Sequence, residues 1–133
     1  MANGTGSFTA RDDAAIRAMV DTHLQAIVAH DPDAFLATCT DEITFMPPEL
    51  PPIVGKEGCR AFLEDFPVPE AFTSEIADVE GAGDLAFARG SATATFPDGA
   101  TVTFTYVGIH RRQPDGSWKM ARDIWNTDEP APQ

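Results

Sequence analysis

A chain of 133 residues and 14.3 kDa has the length of one domain, and its 43% apolar and 23% charged residues suit a buried core rather than a disordered or disulfide-stapled chain. Nine basic against 21 acidic side chains leave a net charge of −12, a field that repels phosphate backbones and anionic headgroups, so nucleic acid and membrane surfaces are excluded as expected partners. No apolar run reaches the ~18 residues of a membrane span, and Met1–Ser7 lacks the basic and apolar regions of a signal peptide, so a soluble cytoplasmic protein is expected.

Residues 1–9 and 127–133 are small, polar or proline-rich and are expected to be flexible, with a single domain over 10–126. Ile16, Met19, Val20, Leu24, Ile27 and Val28 follow helical spacing, and Thr9 with Asp12 forms a variant capping box, which predicts a first helix over residues 10–30. Asp31-Pro32 supplies a cap and a first-turn proline for a short second helix carrying Ala34, Phe35, Leu36 and Cys39. Glu42–Met46 reads as a strand stopped by Pro47-Pro48, and Lys56–Phe66 as a third helix ended by Pro67 and Pro69.

From Ala71 the period becomes two. Segments 71–80, 85–96, 100–112 and 117–126 are β-branched and aromatic, separated by Gly81–Asp84, Pro97-Asp98-Gly99 and Pro114-Asp115-Gly116, so four antiparallel strands in a meander are expected. In the third of these, Val102, Phe104 and Tyr106 share one face and Thr101, Thr103 and Thr105 the other. Helices followed by strands predict an α+β fold, a strongly twisted sheet curled around helices into a cone whose open end admits a small molecule.

Cys39 and Cys59, both on segments read as helices, lack the paired spacing of a zinc or redox site and are read as packed free thiols. His23, His110 and Asp123 show no local zinc spacing, so no metal is expected. A phosphate-binding glycine loop and a nicotinamide fingerprint are both missing, which argues against nucleotide cofactors; no cofactor is expected.

The stretch from His23 to Pro48, with its helix, Asp31-Pro32 and following strand, resembles the opening of the NTF2-like superfamily. Val54-Gly55-Lys56-Glu57-Gly58-Cys59-Arg60-Ala61-Phe62 is similar to that superfamily's glycine-basic-acidic element, with Cys59 in the usual aliphatic place. Asp115–Asn126, containing Trp118 and Trp125, is similar to the last strand of its SnoaL-like, ketosteroid isomerase-like branch. The resemblance covers about residues 10–126. It implies the cystatin-like cone, with three N-terminal helices packed in a strongly curved, mixed but mainly antiparallel sheet. It also implies homodimerisation through the outer sheet face, where Thr101, Thr103, Thr105, Val107 and Ile109 form a semi-apolar row. The fold hosts isomerases, cyclases and non-enzymatic binding modules alike.

Within such a cone, polar residues on apolar faces are the candidates for chemistry. His23 shares the apolar stripe of the first helix, where related enzymes carry a donor that stabilises a developing oxyanion; its alternative is a core histidine with satisfied polar atoms. Tyr106, Gly108 and His110 share one strand face, so Tyr106 and His110 either line the wall or serve as a core tyrosine and an exposed histidine. In a regular last strand, Trp118, Met120, Arg122, Ile124 and Asn126 share one parity, and Asp123 lies on the opposite face. Related cyclases place an acidic residue after this strand's tryptophan, where Asn126 stands here; an amide cannot abstract a proton, so the role passes to Asp123 or another carboxylate. Asp123 alternatively forms a surface ion pair with Arg122 or Arg112. His30, at the end of the first helix, is read as structural.

Asp123, His23 and Tyr106 are therefore the catalytic candidates, and Phe45, Met46, Phe62, His110, Trp118, Trp125 and Asn126 the ligand-binding ones. The stiff segment from Met46 to Val54 is expected to form a lid, with Glu49 facing the mouth. The expected activity is isomerase- or cyclase-like acid–base chemistry on a small apolar carbonyl compound. The alternative is a non-catalytic module that uses the same pocket for ligand binding, or the fold for dimerisation.

Overall fold

Thr9 and Asp12 cap each other's backbone. In the computed structural model, which describes residues 7–128, the Asp12 N–H donates to Thr9 Oγ1 at 3.2 Å and the Thr9 N–H to Asp12 Oδ2 at 2.9 Å. The helix they start, α1 (Ala10–Val28), buries Ile16, Met19, Val20, His23 and Ala26 along one face. It ends where His30 adopts φ +53° and returns its N–H to Ile27 O, the left-handed position that closes many helices. Asp31 then caps α2 (Pro32–Leu36) by accepting from the Ala34 N–H at 3.1 Å.

Strand β1 (Cys39–Met46) begins earlier than its composition suggests, because pairing overrides local preference. Cys39 lies opposite Met120, and the Met120 N–H donates to Thr38 O at 2.9 Å, which pulls Cys39 out of the expected helix and into the sheet. A two-residue β2 (Ile53–Val54) folds back onto β1, and Gly55 at φ +93° turns the chain into α3 (Lys56–Asp65). The remaining strands are β3 (Ala71–Ala82), β4 (Leu85–Thr95), β5 (Thr101–Arg112) and β6 (Trp118–Thr127).

These six strands form one sheet in the order β2-β1-β6-β5-β4-β3. β3 to β6 are the expected meander, while β1 runs parallel to β6, so the sheet is mixed and mainly antiparallel. The inward row of β4 is Ala86, Ala88, Gly90, Ala92 and Ala94, so the wall beneath the helices is thin and space remains above it. The main core joins Ile16, Phe35, Ile43, Phe45, Cys59 and Trp118; a second cluster around Phe72, Ala92 and Ala94 collects Leu24, Phe66 and Phe104. Cys39 and Cys59 are free and buried, with their thiols pushed up to about 12 and about 11 by burial.

One end of the cone is closed by charge. Asp12 accepts from Arg112 Nη1 at 2.7 Å and Nη2 at 3.2 Å and from Trp118 Nε1 at 3.1 Å, and Arg112 stacks 4.6 Å over the Trp118 ring. Phe8 adds an edge-on contact to Trp118, and the Asp128 N–H donates to Thr103 O. Residues 1–6 and 129–133, parts of the ends expected to be flexible, lie outside the described residues. No described helix is long and apolar enough to cross a membrane.

Candidate active site in the cone

Space between α1, α3 and the concave face of the sheet forms a cavity of about 100 Å³. Its wall is aromatic and aliphatic, with Phe35, Phe45, Phe62, Phe66, Phe72, Phe104 and Trp125 among the lining residues, and among the described residues only His23, Tyr106, His110 and Asp123 bring ionisable side chains. Phe45 meets Phe62 and Trp125 edge-on at 5.8 and 5.9 Å, a fixed aromatic corner beside the carboxylate.

A bulge decides the chemistry of β6. Ile109 pairs with Arg122 and His110 with Met120, so Ala121 has no partner and the inward parity shifts by one residue. Trp118 and Met120 face inward before the bulge, and Asp123 and Trp125 after it. Asn126 is carried to the solvent face, opposite Thr105, and is exposed; its expected place in the pocket is corrected by this shift. Trp118 points inward but is spent at the closed end on Asp12, Arg112 and Phe8, away from the cavity lining. Met46, 36% exposed beyond the last inward residue of β1, is also outside the lining. No residue from Met46 to Val54 lines the cavity and Glu49 is exposed, so the segment expected as a lid lies off the site.

Asp123 stands between Phe45 on β1 and Gly108 on β5, its two neighbours across the sheet. No described donor hydrogen-bonds its carboxylate, and removal from water raises its pKa to about 7. The residue is partly buried and lines the cavity. The expected surface ion pair does not form: Arg112 is taken by Asp12 and Asp84, and Arg122 donates to the backbone of Ala121.

The two other catalytic candidates line the same cavity but already hold partners. His23 Nε2 lies 2.6 Å from Thr38 Oγ1, and the ring stacks on Phe35 at 4.3 Å; burial, with repulsion from His110, lowers its pKa to about 3. Tyr106 Oη lies 2.7 Å from Ser74 Oγ on β3, and burial raises its pKa. His110 is 1% exposed with neither ring nitrogen bonded, and burial lowers its pKa to about 4. Both cavity histidines are thus neutral at pH 7. His30 is exposed outside the cavity, with Nε2 3.2 Å from Glu64 O.

Sequence reasoning missed much of the wall. Ala88 and Ala92 are lining residues whose contribution is the volume they leave, and the signal was present in the alternation of alanine and glycine along 86–94. Among the described residues, no group of three or more His, Cys, Asp or Glu side chains is placed to hold a metal ion.

The model of the SnoaL-like domain matches residues 8–121. Among solved structures, the chain is similar to a ketosteroid isomerase-like protein from Erwinia carotovora atroseptica, with 27% identity over 92% of this chain and 100% of the other at a TM-score of 0.79. It is also similar to an NTF2-like protein with a cystatin-like fold from Novosphingobium aromaticivorans, at 14% identity, 91% and 84% coverage and a TM-score of 0.76. An NTF2-like protein of unknown function from Pseudomonas putida aligns at 21% identity, 89% and 87% coverage and a TM-score of 0.72. No curated protein matches the chain in sequence. The cone, the mixed six-stranded sheet and the match over most of the length agree: this chain belongs to the SnoaL-like family, on the cystatin-like NTF2 fold.

Proposed function

We propose that the cone binds a small, neutral carbonyl compound and that Asp123 moves a proton at the carbon next to the carbonyl. The observation that carries this reading is one carboxylate, without a hydrogen-bonded counter-charge, turned into an aromatic cavity. With a pKa of about 7, it is both available as a base and able to return the proton near neutral pH. The carboxylate takes the proton, the C–H electron pair delocalises onto the carbonyl oxygen as an enolate, and return of the proton to the same or a conjugated carbon completes exchange or isomerisation. The oxygen needs a hydrogen-bond donor; of the two candidates, His23 spends its Nε2–H on Thr38 Oγ1, whose own hydrogen goes to Phe35 O, which leaves Tyr106. If Ser74 donates to Tyr106 Oη, the tyrosine hydroxyl remains free to donate.

Among the described residues no Lys or Arg lines the cavity, which disfavours anionic substrates. A volume of about 100 Å³ lies below the ~300–1,000 Å³ of sites for drug-sized ligands and suits a compound of about one ring. The ketosteroid isomerase-like relative supports the same class of reaction.

The test is deuterium exchange at the methyl group of acetophenone in D2O, followed by proton NMR. Wild type is expected to accelerate exchange with a rate that rises through pH 7, and Asp123→Asn to lower it at least ~100-fold. Equal exchange in the two proteins would eliminate Asp123 as the base. Binding without exchange would favour the alternative, a non-catalytic binding module.

A further inference from the structure

The hydroxyl of Thr38, between α2 and β1, settles which nitrogen of His23 carries hydrogen. Thr38 Oγ1 donates its one hydrogen to Phe35 O at 3.0 Å, so toward His23 it offers only lone pairs. His23 Nε2, 2.6 Å from that oxygen, therefore holds the N–H and donates it. A neutral imidazole has one N–H, which leaves Nδ1 with a lone pair that only accepts. Burial, with repulsion from His110, lowers the His23 pKa to about 3, so Nδ1 stays unprotonated at neutral pH.

The ring is held on two sides. One flat face stacks on Phe35 at 4.3 Å and the Nε2 edge rests on Thr38, while the residue lines the cavity. Nδ1 has no partner among the described residues, yet unlike both nitrogens of His110 it is not sealed away from solvent. An open acceptor in an aromatic cavity is a demand on the ligand. An apolar group packed against it would strand the lone pair, whereas a hydroxyl would satisfy it. The chain from His23 through Thr38 to Phe35 thus reverses the expected polarity: His23 receives a hydrogen from the ligand instead of giving one.

We propose that His23 Nδ1 accepts a hydrogen bond from a hydroxyl group of the ligand, so that the substrate class is a small hydroxy-substituted carbonyl compound. The proposal rests on the carbonyl reading of the cavity and deepens it. Tyr106 on β5 holds the carbonyl oxygen and His23 on α1 holds the hydroxyl, so two groups of opposite hydrogen-bonding sense read the two polar ends of an otherwise apolar molecule. Thr38 is a positioning residue, acting through the tautomer it imposes on His23.

The experiment uses the isotope-labelled full chain at pH 7 with 3- and 4-hydroxyacetophenone, each compared with the methylacetophenone of the same substitution, in which CH3 replaces OH at nearly equal volume. Without ligand, the imidazole nitrogen spectrum is expected to show His23 as the Nε2–H tautomer. With at least one hydroxy isomer the Nδ1 resonance should move much further than with its methyl counterpart. His23→Phe is expected to lower the hydroxy-to-methyl affinity ratio of that pair about 10-fold, the size of one buried hydrogen bond. Thr38→Val, which releases the ring to take the other tautomer, is expected to lower the ratio too while an Nδ1–H signal appears. The proposal is overturned if free His23 is the Nδ1–H tautomer, if Nδ1 responds equally to both members of each pair, if His23→Phe leaves the ratio unchanged, or if no hydroxy isomer binds at millimolar concentration. Should His23→Phe fail to fold, the wild-type tautomer and the Nδ1 response decide. The base is judged separately: proton exchange that survives Asp123→Asn removes Asp123 as the base and leaves the ratio standing, whereas exchange that needs Asp123 beside a ratio indifferent to His23 removes only the hydroxyl.

Discussion

Asp123 owes its altered acidity to its neighbours rather than to its own strand. Phe45 on one side and bare Gly108 on the other supply no counter-charge, so the ionised form is disfavoured in the folded state and its pKa rises to about 7 from 3.8. A carboxyl raised on folding contributes stability that is fully present below the unfolded pKa and is lost as pH climbs through the folded one. Wild type is therefore expected to lose about 1–2 kcal/mol between pH 5 and pH 8, water in the cavity screening part of the full effect. Asp123→Asn should flatten that slope. Urea melts at the two pH values check this, and an unchanged slope in the variant would assign the loss to other groups.

At the scale of elements, two devices shape the molecule. The bulge at Ala121 puts Asp123 and Trp125 on the same face as Met120, and no regular strand of this sequence could do so. The second device ties the start of α1 to the end of β5, since Asp12 caps the helix and grips Arg112, which also contacts Asp84 and the Gly83 carbonyl. The Arg112 guanidinium and the other donors hold the Asp12 carboxyl far below the usual carboxylate range. Here the sign is opposite to that of Asp123: the stabilisation is complete above about pH 4 and fades as acid protonates Asp12. Asp12→Ala is expected to cost about 3 kcal/mol at pH 7, because it strands Arg112 and removes the cap, and to weaken the further loss of stability below pH 4. Chemical denaturation from pH 7 to pH 2 measures both effects. A variant that loses less than about 1 kcal/mol would mean water replaces the pair.

For the whole molecule, the outer face of β4, β5 and β6 is the surface we propose for self-association. Val107, Ile109 and Ile124 stand there beside threonines. Arg89, Arg111, Lys119 and Arg122 share that face by strand parity, four of only nine basic residues in a chain of net charge −12. That local balance reduces the repulsion two acidic subunits would otherwise feel. Sedimentation at micromolar concentration is expected to give twice 14.3 kDa, and Ile124→Glu to return the monomer. A wild-type species of 14.3 kDa alone would end the proposal.

What the sequence determined by itself was local and periodic. Thr9 with Asp12 and Asp31 with Pro32 mark helix starts through short-range hydrogen bonds, and the alternation of Phe104, Tyr106, Gly108 and His110 places one wall of the cavity, because both kinds of signal reach only a few residues. Cys39 misled for the same reason: its neighbours favour a helix, but a partner 81 positions away, Met120, makes it a strand. Likewise the exit of Asn126 from the site and the entry of Asp123 follow from one unpaired residue in a ladder. Only the tertiary structure decided these points, because register across strands is a property of two segments together, and burial, which sets the acidity of Asp123 and the unmet bonds of His110, is a property of all the elements that close around them.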